Sequence, residues 1–97
     1  MRVVFRNRSL ERCFVSQSEA SQTWGHDVGR RYIQRVTLLL DAERFDDLFT
    51  AVSLHLHPLS GDRTGQYAMT LHGRWRLIVT VERDTLVIEE VTNHYGD

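Results

Sequence analysis

The spacing of apolar residues changes near His26 and again near Tyr67, dividing the chain into a helical half and a strand half. Ahead of the first change, Val3, Val4 and Phe5 predict a short opening strand within residues 1–6. Residues 7–15 carry Leu10, Cys13 and Phe14 at helical spacing, and Asn7 or Ser9 can cap that helix by accepting an orphan backbone N–H. Residues 17–23 are polar and rich in serine and threonine, the composition of a loop. From His26, Val28, Tyr32, Val36 and Leu39/Leu40 fall on one helical face, with Arg30, Arg31, Gln34 and Arg35 mostly opposite. Asp41 then reads as the N-cap of a further helix carrying Phe45, Leu48, Phe49 and Val52. The acids between Asp41 and Asp47 would suit the N-terminal end of its dipole.

Beyond residue 65 the period is two. Tyr67, Met69 and Leu71 alternate with Ala68, Thr70 and His72; Gly73 offers a turn; Trp75, Leu77, Val79 and Val81 alternate with Arg74, Arg76, Ile78 and Thr80. Arg83-Asp84 supplies a second turn before residues 86–91. A strand, a helical block and a three-stranded meander predict one α+β domain over residues 1–97, with helices on one face of an antiparallel sheet.

Charge changes this picture little in total and more in its distribution. The net charge is −1, yet residues 1–35 set seven arginines against only Glu11, Glu19 and Asp27. All 12 basic residues are arginine, which clamps anions through a bidentate fork but does not shuttle protons. Proton transfer therefore falls to histidine, tyrosine or a carboxylate. The lone Cys13 cannot form an internal disulfide and points to a reducing cytoplasm, and the apolar runs are too short to span a bilayer.

The segment His57-Pro58-Leu59-Ser60-Gly61-Asp62-Arg63-Thr64-Gly65 concentrates the candidate chemistry. Pro58 biases His57 toward extended backbone, and the glycines allow sharp turning, so an imidazole and a guanidinium are held beside the strand bearing Trp75-Arg76. The last strand ends in Asn93-His94-Tyr95, which brings a second imidazole and a phenol to the sheet rim. His55, His57 and His94 could also be read as metal ligands, but no spacing such as C-x-x-C accompanies them. Each residue has a plainer reading too: His57 bonded to backbone, Arg74 and Arg76 solvated, Trp75 and Tyr67 in the core.

Over residues 56–95 this pattern resembles the HigB-type toxins of the RelE/ParE superfamily, bacterial toxins that cut messenger RNA on the ribosome. The resemblance implies a RelE-like fold, a cytoplasmic endoribonuclease that needs no metal or other cofactor, and catalytic roles for His57, Arg76, His94 and Tyr95. Read from the residues themselves, Arg63, Arg74 and Asn93 are further candidates for RNA or phosphate contacts. The family commonly has lysine at the position of Ser60 and ends in Asp-Tyr-His where this chain has Asn93-His94-Tyr95, so the imidazole and the phenol are exchanged. A ParE-like gyrase poison and a non-catalytic antitoxin binder of the same fold remain as alternatives. The resemblance also implies a helix-turn-helix antitoxin of HigA type in an oligomeric complex, and the arginine face Arg30-Arg31-Arg35 is the surface expected to dock it.

Overall fold

The computed structural model describes residues 1–93. Strand β1 (Arg2–Phe5) leads into helix α1 (Arg8–Val15), α2 (Gln17–Trp24) and α3 (His26–Asp41). Two short 3₁₀ turns, Phe45–Thr50 and Val52–Leu54, connect to strand β2 (His57–Pro58), and a third, Gly61–Arg63, precedes β3 (Tyr67–Thr70). Strands β4 (Arg76–Glu82) and β5 (Thr85–Thr92) complete a sheet ordered β1-β5-β4-β3-β2. The α+β class with a C-terminal meander is as expected. The sheet is mixed, because β1 joins β5 in parallel, and a two-residue β2 is added at the far edge.

One face of this sheet carries the core. Met69, Leu77, Val79, Leu86 and Ile88 alternate inward and meet Leu10, Val28, Tyr32, Val36 and Leu39 from the helices. Tyr32 is fully buried; its hydroxyl donates to Leu10 O at 2.7 Å, and its ring meets Trp24 edge-on at 4.7 Å. Burial pushes its phenol well above the ordinary tyrosine range. Cys13 is buried with its Sγ 3.5 Å from Thr23 Oγ1, a packing position rather than an exposed thiol.

Two elements depart from the sequence reading. Residues 17–23, expected as a loop, form most of α2: the Ser16 side chain accepts Glu19 N–H at 3.2 Å, and Ala20 is buried against α3. Polar composition misleads here because the remainder of α2 is largely solvated, so a short helix needs few apolar residues. Gly29 makes the crossing possible. A Cβ there would lie 2.8–2.9 Å from the Ala20 carbonyl group and Ser21 N.

Asp41, expected to cap a new helix, is instead the last residue of α3. The segment after it is 3₁₀ rather than α, and the expected stripe breaks up: Leu48 is buried, Phe45 is half-buried, while Phe49 and Val52 are 46% and 80% exposed. Phe45 and Leu48 are three apart, the repeat of a 3₁₀ helix. Phe45 caps this end of the core by packing on Tyr67, with ring centroids 4.9 Å apart. Among the described residues no helix is long and apolar enough to cross a membrane.

Candidate functional site

Among the described residues no helix packs on the second face of the sheet, and the register determines which side chains share it. His57 lies opposite Ala68, Ala68 opposite Ile78, and Ile78 opposite Glu90, so these four form one row across four strands. The next row is Thr70, Arg76 and Thr92. Ala68 and Ile78 are fully buried yet stand apart from the helix-facing core, which makes them an apolar floor between His57 and Glu90.

His57 occupies the edge strand β2. Its Nδ1 lies 2.7 Å from the carbonyl oxygen of His55. A carbonyl can only accept, so this contact places a proton on Nδ1 and leaves Nε2 as the nitrogen open to a proton-transfer partner. That is the tautomer a general base requires.

Arg63 comes onto the same face from the loop between β2 and β3. Its Nη1 donates to Gln66 Oε1 at 2.9 Å and stands 3.5 Å from Glu90 Oε2. The ion pair thus reaches across the floor toward β5. Glu90 did not emerge from the sequence as a site residue, although a signal was present. Glu89 and Glu90 stand side by side between Ile88 and Val91, where period two would put them on opposite faces, the pattern a β-bulge leaves in a strand. The register does shift there: Ile78 pairs with Glu90 and Val79 with Ile88, leaving Glu89 as the extra residue. The bulge puts both carboxylates on the open face. Glu89 accepts two bonds from Arg6 at 2.8 Å and one from Thr80 Oγ1 at 2.6 Å. The Arg6 hydrogen bonds hold its carboxyl below the usual carboxylate range, against the opposing effect of burial.

Arg76 is on the open face but its Nη1 is engaged locally, donating to Gly73 O at 2.7 Å and Trp75 O at 2.9 Å. It therefore clasps the β3–β4 turn, where Gly73 takes a φ of 58° and Arg74 is exposed to solvent. Trp75 packs against the core on the helix side, as strand alternation expects. Asn93 is half-buried just beyond β5, at the same sheet end as Arg76. His94 and Tyr95 lie outside the described residues.

The three arginines expected to form one docking face on α3 separate. Arg30 is exposed and Arg31 half-exposed, but Arg35 is only 8% exposed. Its guanidinium donates to Thr70 O at 3.2 Å and Ser53 O at 3.3 Å, tying α3 to the end of β3 and to a 3₁₀ turn. Helical periodicity placed Arg35 opposite the apolar stripe; the chain segment around Ser53 covers that flank, which no local pattern reveals. Desolvation lowers the Arg35 pKa, with Arg31 adding to the effect.

Other clusters lead elsewhere. Among the described residues no group of three or more His, Cys, Asp or Glu side chains could hold a metal ion. A hollow of about 280 Å³ lined by Met1, Arg2, Arg44, Phe45, Asp46, Arg83 and Asp84 lies by the β4–β5 turn and contains none of the candidate residues.

Comparisons with known proteins speak to this architecture. No family model and no curated protein matches the sequence. Solved structures do match. A point variant of YafQ from E. coli superposes with a TM-score of 0.66 at 18% identity, over 97% of this chain and 94% of that one. YoeB from Staphylococcus aureus, solved as a YoeB–YefM complex, gives 0.63 at 17% identity over 98% of each chain. A YoeB/ParE toxin from Agrobacterium tumefaciens gives 0.58 at 17% identity, over 98% of this chain and all of that one. The fold is of the RelE/ParE type. At these identities the likeness describes architecture, and it covers essentially the whole chain, including the part before residue 56.

Proposed function

We propose that this chain is the toxin of a toxin–antitoxin pair and that its open sheet face cuts messenger RNA held in the ribosome. The observation that carries the reading is the row from His57 to Glu90: an imidazole whose tautomer is set, beside an apolar floor and a half-exposed arginine. The toxin fold of YoeB and YafQ supports it from outside the site.

Cleavage on this face would need no group beyond the chain and the RNA itself. His57 Nε2 takes the proton of a ribose 2′-hydroxyl; the oxygen attacks the adjacent phosphorus, and the bond to the 5′-oxygen breaks. The departing 5′-oxygen takes a proton from His94 or Tyr95, giving a 2′,3′-cyclic phosphate and a 5′-hydroxyl. Arg63 is the cation nearest the floor, and Arg76 serves once its guanidinium swings from the turn carbonyls toward the phosphate. Each stabilises charge that accumulates on the phosphoryl oxygens. Arg74 and Asn93, at the same end of the sheet, contact the neighbouring phosphates and bases. The ribosome supplies positioning, so the small net charge of the chain is no obstacle.

A ParE-like protein binder has no use for an imidazole with an oriented lone pair, which is why the nuclease reading is preferred. An antitoxin is the implied partner; S. aureus YoeB is itself solved with YefM. Arg30 and Arg31 form the exposed part of the proposed docking face. The purified protein with ribosomes programmed by a defined message tests the function. Cuts in the translated message ending in 2′,3′-cyclic phosphate support the reading. Intact message under all conditions, with inhibition of gyrase instead, would replace it by the ParE-like one.

A further inference from the structure

We infer that His55 is a positioning residue for His57, acting through its backbone rather than its imidazole. The inference rests on the nuclease reading and deepens it. Among the described residues only His55 and Arg83 combine a side chain with positive φ, at 48° and 56°. Arg83 belongs to the two-residue hairpin turn between Glu82 and Thr85, whose geometry accounts for it. His55 ends the Val52–Leu54 3₁₀ turn, with its N–H donating to Val52 O at 3.1 Å, and adopts the left-handed conformation at φ 48° and ψ 43°.

Capping alone would favour glycine here, because an L side chain in this region is strained. The consequence two residues later is specific. The reversal at His55 turns its carbonyl back onto the ring of His57, 2.7 Å from Nδ1. Extended backbone at residue 55 would instead carry the chain straight into β2, with that carbonyl pointing along the strand edge. The bond holds the proton on Nδ1, orients the ring over the open face, and remains available to stabilise the imidazolium once Nε2 is protonated. The His55 ring is exposed and takes no part in this.

The distinction is testable because backbone and side chain respond to different substitutions. His55→Gly and His55→Asn both accept the left-handed conformation, whereas His55→Val resists it. We expect the glycine and asparagine variants to cleave within about twofold of the parent. The valine variant should lose about tenfold in kcat at unchanged KM, in line with the cost of the left-handed conformation for a branched side chain. Nitrogen-15 NMR of the His57 ring, free of any assay, should show protonated Nδ1 in the parent and both conservative variants, and a mixture of tautomers in the valine variant. Thermal melting confirms that each variant is folded. A glycine variant as inactive as His57→Ala would show that the His55 ring itself acts and would overturn the inference. So would a parent ring protonated at Nε2, even in a protein that cuts no RNA, and so would a valine variant with unchanged tautomer and rate.

Discussion

Arg63 Nη1 stands 3.5 Å from Glu90 Oε2 on the open sheet face, so the best-placed cation is partly neutralised by a carboxylate on β5. Both groups are substantially exposed, and an ion pair of this kind contributes only about 0.2–1 kcal/mol after solvent screening. Its larger effect falls on an incoming polyanion, which meets Glu90 as a like charge. Glu90→Gln should therefore lower KM for programmed ribosomes about two- to fivefold with little change in kcat, and the gain should fade at high salt. Loss of cleavage in this variant would instead make Glu90 part of the acid–base machinery.

Arg35 and Arg30 lie five residues apart on one helix and should behave oppositely. Arg35→Ala removes two charge-assisted bonds to the carbonyls of Thr70 and Ser53, a loss of about 1.5–3 kcal/mol. Arg30→Ala should leave stability within about 0.5 kcal/mol. If Arg30 and Arg31 form the docking face, reversing both charges weakens antitoxin binding while folding and cleavage persist. Thermal melts and a binding titration on the same variants separate the two roles.

Gly29→Ala tests the α2–α3 crossing. In an open helix this change stabilises by roughly 0.8–1 kcal/mol. Here the new methyl meets the Ala20 carbonyl group and Ser21 N at 2.8–2.9 Å, and backbone cannot yield as a flexible side chain would. The sign should reverse, with a loss of about 1–3 kcal/mol on chemical denaturation.

The Arg6–Glu89 pair gives the fold an acid limb. The Glu89 carboxyl is held below its ordinary value by hydrogen bonds from Arg6, so the folded state favours the ionised form. This stability is fully present above the unfolded glutamate value of about 4.3 and is lost as pH falls through the depressed folded value. Glu89→Gln should be less stable than the parent near neutrality, and the gap should narrow below about pH 4. A gap that stays constant to low pH would contradict the assignment.

The strand half of the fold was legible because period-two alternation reports directly which face a residue occupies. Met69, Leu77 and Val79 face the helices and Arg76 faces away, as the pattern implies. The helical half was less legible for two physical reasons. A short helix such as α2 needs one buried alanine and a serine cap, so its composition resembles a loop. Arg35 is buried by a segment remote in sequence. At the site, the stiffened segment around His57 and Arg63 was visible as a motif, whereas Glu90 reached the open face only through the bulge at Glu89. The parallel pairing of β1 with β5 is a tertiary relationship that no local period encodes.

The central role proposed for His57, the base on an RNA-cutting sheet face, is tested most directly by single-turnover cleavage of ribosome-bound message. The parent and His57→Gln are compared, with cuts mapped by primer extension and melting curves to establish equal folding. With His57 as the base, the variant keeps the same cut positions and loses at least about 10²-fold in rate, the usual scale for removing a general base. A folded His57→Gln protein that cuts at the parent rate would contradict that role.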